Sequence, residues 1–322
     1  MWASGGFEAL RADADAPVGL TIGAFDGVHV GHQAMLRWFV SEAHAAGLQA
    51  VVLTFDPLPR QVLSPPPTPP LLSSLAERQA QLALLGVDGV VTLRFDRATA
   101  ALTAQDFMAQ IMRAVDLRGL WVGADFALGR ERGGSVSVLR EIGEARGFVV
   151  HTFAETIAWC GAPVRSSRIR RALQAGDVSE ACGCMGRPYR LAGLVVHGDH
   201  RGHTLGFPTA NLAVSADRQL PAWGVYVTRA HLPQGSFESV TNVGGRPTFN
   251  HRPPTVEAYL LDFSADLYGA TLKLDFLHRL RTEEKFTSVE ALIVQMQHDV
   301  AGARAWFHNE DEYVLCPNGC RE

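Results

Sequence analysis

Lysine is almost absent from this sequence. Only Lys273 and Lys285 carry an ammonium group, and arginine supplies the rest of the 29 basic side chains. A GC-rich coding bias accounts for that preference, and one exclusion follows from it. No glycine is followed by lysine, so a Walker-type phosphate loop is ruled out, because its lysine must reach the β- and γ-phosphates. Cysteine is also scarce. Cys160, Cys182, Cys184, Cys316 and Cys320 form an odd set without paired spacing, which argues against a secreted disulfide framework. Their spacings do not match the usual zinc fingers, and no role for them follows from the sequence. No uninterrupted apolar run reaches the ~18 residues of a membrane-spanning helix. Met1–Pro17 carries acids and no apolar h-region of a signal peptide. A net charge of −4 offers no basic footprint for nucleic acid or a membrane surface. The expectation is a cytoplasmic chain with no nucleic-acid or membrane partner and an oligomeric state left open.

What is present is ample core material. The chain has 322 residues, 47% hydrophobic and 19% charged, which suits two globular domains. In the first half, Val18–Phe25, Ala50–Phe55, Gly89–Phe95, Gly119–Asp125 and Phe148–Phe153 read as buried strands. Helical spacing follows in stretches such as His32–Ala46 and Ala104–Val115. Strand–helix alternation predicts an α/β, doubly wound parallel sheet. Ser64–Pro70 is a proline-dense loop. Ser166–Ala175 and Asp177–Cys184 are predicted as two short helices ending this domain, with a boundary near Gly186–Tyr189. The pattern then changes. Leu191–His197, Val225–Leu232, Ser239–Val243, Val256–Phe263 and Leu272–His278 are strands separated by Gly, Pro and Asn, which predicts a small closed or nearly closed antiparallel β-barrel. A terminal helix is predicted from Thr287, with Glu290 completing a capping box. Its stripe of Val289, Leu292, Ile293, Met296 and Val300 is spaced to lie on the barrel. The domains expected are 1–185 and 186–310, followed by a polar tail at 311–322.

The densest chemistry is Gly23-Ala24-Phe25-Asp26-Gly27-Val28-His29-Val30-Gly31-His32, where the first strand gives way to the first helix. In a doubly wound sheet phosphates bind at that edge, and amides at a helix N-terminus favour an anion. Gly23, Gly27 and Gly31 permit close backbone approach. His29 and His32 lie three apart, so both can face one phosphate chain and donate to oxygens as charge develops. A strand–turn–helix with two ordinary surface histidines is the bland alternative; the Phe-Asp-Gly lead-in and the topological position argue against it. Arg165-Ser166-Ser167-Arg168-Ile169-Arg170-Arg171 begins a later helix and offers a second phosphate cradle, alone no better than a capped surface helix. Asp125, in Gly123-Ala124-Asp125-Phe126, ends a strand on the same edge and is placed to meet the acceptor or a metal.

The second half carries Gly198-Asp199-His200-Arg201-Gly202-His203-Thr204-Leu205-Gly206-Phe207-Pro208-Thr209-Ala210-Asn211. Its backbone amides can wrap phosphates, and Thr209 and Asn211 offer neutral oxygens to Mg²⁺. Asn242-Val243-Gly244-Gly245-Arg246-Pro247-Thr248 is another Gly/Pro-shaped loop. Glu257, on a strand, is a candidate general base; an exposed strand carboxylate is its bland reading.

Together these residues resemble the bacterial bifunctional riboflavin kinase/FAD synthetase family, from about Leu20 to Arg304. The first motif looks like the family's HxGH nucleotidyltransferase signature. Ser166-Ser167-Arg168-Ile169-Arg170 looks like its phosphate-gripping helix start, and Gly206-Phe207-Pro208-Thr209-Ala210-Asn211 like its kinase signature. Glu257, with Leu260-Leu261-Asp262-Phe263 after it, matches the family's base. Asp266-Leu267-Tyr268-Gly269 and Arg281-Thr282-Glu283-Glu284-Lys285-Phe286 match further patterns. The resemblance implies a Rossmann-like nucleotidyltransferase domain, a riboflavin kinase barrel, and ATP, riboflavin and FMN as substrates with Mg²⁺ as cofactor. It implies catalytic roles for Glu257, His29, His32 and Arg168. Nucleotide binding would fall to Gly23, Phe25, Asp26, Gly27, Gly31, Asp125, Ser166 and Ser167 in the first domain. In the second it would fall to Gly198, Arg201, Gly206, Pro208, Thr209, Asn211 and Arg246. The chain departs from the family at Leu58, where Phe-x-Pro-His-Pro has histidine, at Arg165 (usually serine), at Ala127 and Leu128, at Arg78 (usually lysine) and at His203 (usually arginine). Those departures motivate a second reading, a kinase with a non-catalytic N-terminal domain.

Overall fold

The structure, a computed structural model, describes residues 2–13, 16–198, 207–245 and 254–309. It divides into two compact units, Met1–Ala158 and Trp159–Glu322. The predicted tail at 311–322 lies outside the described residues.

The first unit is built on a six-stranded sheet. Its strands are β1 (Trp2–Gly5), β2 (Val18–Ile22), β3 (Gln49–Phe55), β4 (Gly89–Leu93), β5 (Leu117–Gly123) and β6 (Val149–Phe153), in the order β1-β4-β3-β2-β5-β6. Every pairing is parallel. β2 and β4 are buried along their whole length, as a sheet covered on both faces requires, and this is why they read as continuous apolar runs. Leu20, Leu53, Val91 and Leu120 pack on one face with Ile111 and Leu139. Val52, Val90 and Trp121 pack on the other with Leu36, Phe39 and Leu82. The helices are α1 (Val30–Ala45), α2 (Pro59–Leu63), α3 (Leu75–Ala83), α4 (Arg97–Ala101), α5 (Ala104–Ala114) and α6 (Val136–Arg146). The five predicted strands are present with ends shifted by one to three residues. β1, which adds to β4, was not foreseen. The chain runs outward from β2 to β3 and β4, then returns to the other side of β2 as β5. The carboxyl ends of β2 and β5 therefore flank the switch point of the sheet, where ligands bind in this architecture.

The second unit opens with α7 (Ser166–Ala175) and α8 (Val178–Met185). Its barrel closes in the order β7 (Tyr189–Val196), β8 (Ala210–Ala213), β11 (Thr255–Leu260), β10 (Gly235–Gly244), β9 (Gly224–Leu232) and β12 (Thr271–Thr282). All its pairings are antiparallel. β8 is the strand that sequence reasoning took for loop. The predicted boundary at 185/186 and the compact division at Ala158/Trp159 bracket α7 and α8. Both pack with the barrel: α8 lies against β7 and β12, and α7 is bonded to it, the Leu173 carbonyl accepting the Ala222 N–H at 2.8 Å and the Ala175 carbonyl accepting from Arg279 at 3.1 Å.

The terminal helix α9 (Val289–His308) begins one residue later than predicted, because Ser288, not Thr287, caps it through the Ala291 N–H. Its packing also differs from the predicted stripe. Val289 is 54% exposed, and the deep contacts come from Ala303, Trp306 and Phe307 against Val225, Val227, Val240 and Leu277. A bidentate pair between buried Asp299 and Arg281 (2.8 and 2.9 Å) fastens this half of the helix to β12. Cys160 and Cys182, given no role by sequence, are disulfide-bonded. Cys184 is a buried free thiol pushed up to about 11 by burial and by the Glu180 carboxylate.

Candidate functional sites in the two units

In the first unit β2 ends in a turn that few side chains tolerate. Phe25 (φ 46°), Gly27 (φ 81°) and Val28 (φ 39°) all occupy the left-handed region, which for Phe and Val is a strained conformation. The restraint comes from Asp26, 2% exposed. Its carboxylate accepts the Leu72 N–H (3.0 Å), the Ser73 N–H (3.2 Å) and the Arg60 guanidinium (2.7 Å). The Gly27 N–H donates to Ser73 Oγ at 3.0 Å, sewing the turn to the same distant segment. Arg78, 2% exposed, ties the sheet edge by donating to the carbonyls of Ala24 (3.0 Å) and Phe55 (2.9 Å). The Phe25 ring closes over Gly23, where a Cβ would lie 2.7 Å from it.

The turn delivers His29 as the N-cap of α1. Its Nδ1 accepts the His32 N–H at 3.3 Å. An Nδ1 that accepts leaves the proton of a neutral imidazole on Nε2, so capping fixes the tautomer and turns His29 into a hydrogen-bond donor at its far nitrogen. The His32 ring stacks on His29 with centroids 3.6 Å apart and packs edge-on against Phe25. Burial lowers the His32 pKa to about 4, and its shielded Nδ1 has no hydrogen-bond partner among the described residues. A stacked pair this close cannot carry two positive charges. No acidic side chain occupies the first turn of α1, so nothing there competes with an anion for its free amides, including that of Gly31. Asp125 lies exposed just beyond β5, on the other side of the switch point.

Leu58, at the family's histidine position, is 1% exposed and belongs to the hydrophobic core. Its neighbour Arg60 instead reaches the signature turn through Asp26, and the Arg60 Nε is buried without a partner among the described residues. Sequence reasoning missed Arg60 and Ser73. The only signal was an arginine two residues beyond the departure at Leu58.

Ser166, Ser167 and Arg168 belong to the second unit. The two serines open α7, whose N-cap Arg165 makes no side-chain capping bond. The Arg168 guanidinium is engaged by Glu180 (2.6 Å) and by the carbonyls of Trp159 (2.9 Å) and Ala162, bonds that fasten α7 to α8 and to the segment before it. Arg170, buried, is the arginine that helical spacing puts on the face of Ser166 and Ser167.

On the barrel, β8 pairs with β11 so that Asn211 lies directly opposite Glu257. Ala210 and Leu212 point inward while Asn211 is half-buried, and on β11 Val256 and Ala258 point inward around half-buried Glu257. The two side chains therefore share the outer face with their Cβ atoms ~5 Å apart. Thr209, two residues before Asn211, falls on the same face by strand alternation, next to exposed Pro208. Gly198 packs against the Asn211 amide so closely that a Cβ would overlap it. Arg201, Gly206 and Arg246 lie outside the described residues.

One pH dependence follows from His32. The folded chain takes up this proton near pH 4, whereas the ordinary value is 6.5. Between those values the unfolded chain binds more protons, so the stability held above about pH 6.5 is lost as pH falls toward 4. His32→Gln should flatten the urea-unfolding midpoint across that window; an unchanged slope contradicts the assignment.

Comparison with known proteins covers both halves. The riboflavin kinase family model matches residues 185–307 and the FAD synthetase model residues 12–168. A Haemophilus influenzae protein named bifunctional riboflavin kinase/FMN adenylyltransferase is 37% identical over 295 residues, 90% of this chain and 94% of its own length. The Bacillus subtilis protein of that name is 34% identical, covering 90% and 92%. The crystal structure of a Streptococcus pneumoniae protein described as a macrolide-efflux protein superposes with a TM-score of 0.83 at 32% identity, covering 92% of this chain and 97% of the other. Among the described residues here, no helix is long and apolar enough to cross a membrane. The full-length matches, joining both family models in one chain, place this protein in the bifunctional riboflavin kinase/FMN adenylyltransferase family.

Proposed function

We propose that the chain makes both flavin cofactors in the cytoplasm: it phosphorylates the riboflavin 5′-hydroxyl with ATP, then transfers AMP from a second ATP to FMN, releasing pyrophosphate. Residues 186–310 would serve the first reaction and 1–185 the second. The observation that carries the kinase half is the pairing of Asn211 with Glu257 on adjacent strands, which sets a phosphate-side amide beside a carboxylate. In this reading Glu257 takes the proton from the 5′-hydroxyl as that oxygen bonds to the γ-phosphorus of ATP, and ADP leaves with the electrons of the broken P–O bond. The Thr209 hydroxyl and the Asn211 amide oxygen are hard, neutral donors on one face, a set that fits Mg²⁺. Bound there, the ion would offset phosphate charge.

For adenylyl transfer the carrying observation is His29 capping α1 at the sheet switch point. A phosphate oxygen of FMN attacks the α-phosphorus, and the bond to pyrophosphate breaks. His29 Nε2–H and the free amides of α1 would stabilise the charge that develops on the phosphate oxygens. His32, held neutral by burial, would keep His29 in place without adding a second charge. Arg60 and Arg78 bring positive charge to the edge where Leu58 brings none. The kinase-only reading is not favoured, because the matches named bifunctional span both halves and the His29–His32 stack is intact.

Two experiments test this reading. His29→Ala should abolish conversion of supplied FMN to FAD while leaving riboflavin phosphorylation intact, and Glu257→Gln should do the reverse, slowing FMN formation roughly 10²–10⁴-fold. Loss of both activities in either variant contradicts two separate sites. Gly198→Ala should slow FMN formation by up to about 10²-fold through displacement of the Asn211 amide, with FAD formation from FMN unaffected; a wild-type kinase rate would remove Asn211 from the site.

A further inference from the structure

Glu257 has a second cross-strand neighbour. β10 pairs with β11 on the side away from β8, and its register sets Asn242 directly opposite Glu257. Alternation again fixes the face: Thr241 and Val243 are buried, and Asn242 between them is half-buried. Asn211, Glu257 and Asn242 thus form one row across three adjacent strands, with a neutral carboxamide on each side of the carboxylate. Along its own strand Asn242 faces Gly244. A Cβ at Gly244 would lie 3.3 Å from Asn242 Nδ2 and would overlap the Glu283 carboxylate. Gly244 therefore leaves the space in which the Asn242 amide and Glu283, just past β12, come together.

We propose that Asn242 is a positioning residue for phosphoryl transfer, orienting the Glu257 carboxylate toward the hydroxyl it deprotonates. The inference rests on the proposed role of Glu257 as base. A glutamate carboxylate is carried on three χ angles, and a base must be held within hydrogen-bond reach of its proton. Asn211 is committed to the phosphate side. The Asn242 amide, with two N–H donors and no charge, can hold the other side of Glu257 while separating it from Glu283. A charged residue there would act differently: a cation would weaken the base, and an anion would raise its pKa. The described side chains on this face include Thr209 and Asn211 on the β8 side, Thr255 and Tyr259 along β11, Asn242 from β10, and Glu283 over Gly244.

The test uses the full chain and the pH profile of kcat for FMN formation at saturating riboflavin and Mg-ATP. Asn242→Asp is nearly isosteric and sets a like charge ~5 Å from Glu257, so the acidic limb should move up by about one to two pH units. Asn242→Ser keeps a neutral side chain with shorter reach. It should lower kcat about tenfold or more without moving the limb, and KM for riboflavin should stay near wild type. A merely structural role would leave the limb of Asn242→Asp in place. FAD formation from supplied FMN serves as the internal measure of intact protein. Glu257→Gln, run in parallel, separates the two ideas. If it is nearly inactive while Asn242→Asp keeps the wild-type limb, or Asn242→Ser the wild-type kcat, the positioning role is overturned and the base stands. If Glu257→Gln keeps the wild-type rate, the base assignment fails and Asn242 falls with it. Should Asn242→Asp not fold, the kcat of Asn242→Ser decides.

Discussion

The buried Asp26 carboxylate joins groups that lie far apart in the chain: the turn after β2, the guanidinium of Arg60, and the amides of Leu72 and Ser73. Without it, two non-glycine residues in the left-handed region would each cost ~1–3 kcal/mol with nothing to hold them there. The turn sets where His29 caps α1, the cap sets its tautomer, and the tautomer sets which nitrogen donates. The chemistry proposed for the first unit thus descends from one satisfied buried charge. Whatever Asp26 contributes to nucleotide binding, its bonds in the fold give it this geometric task as well.

The barrel meets the same need in another way. There, register does the positioning: β8, β11 and β10 set Asn211, Glu257 and Asn242 abreast on one face. A slip of one residue in either pairing would send one of these side chains to the inner face, so the closed barrel, with no strand edge among those three, is part of the site. The buried Thr228–Ser239–Thr241 hydroxyl network (2.6 and 2.7 Å) inside the wall of β9 and β10 resists such a slip, because each hydroxyl would lose its partner in an apolar interior.

Much of this was legible in the sequence because it is local. Strand–helix alternation, the His29–His32 spacing and the Gly206–Asn211 run all lie within short windows. What escaped is long-range. Nothing near Asp26 announces a partner 46 residues away in Leu72, and nothing near Arg60 announces Asp26. β8 was read as loop because its glycine- and proline-rich approach outweighed four strand residues, so the pairing of Asn211 with Glu257 could not be seen, nor that of Asn242. The terminal helix was placed well, yet its packing stripe was set too early, since the anchor is the Arg281–Asp299 pair and the aromatic end at Trp306 and Phe307. Arg168 shows the converse: a cation in a promising motif whose bonds in the fold go to Glu180 and backbone carbonyls.

The most direct measurement is a time course of the purified wild-type protein with riboflavin and Mg-ATP, resolving FMN from FAD. The account predicts that FMN rises first and FAD follows from it, which would show that a core leucine at position 58 is compatible with adenylyl transfer. FMN accumulating with no FAD would contradict the proposed first-unit site, and no flavin phosphate at all from folded protein would contradict both sites.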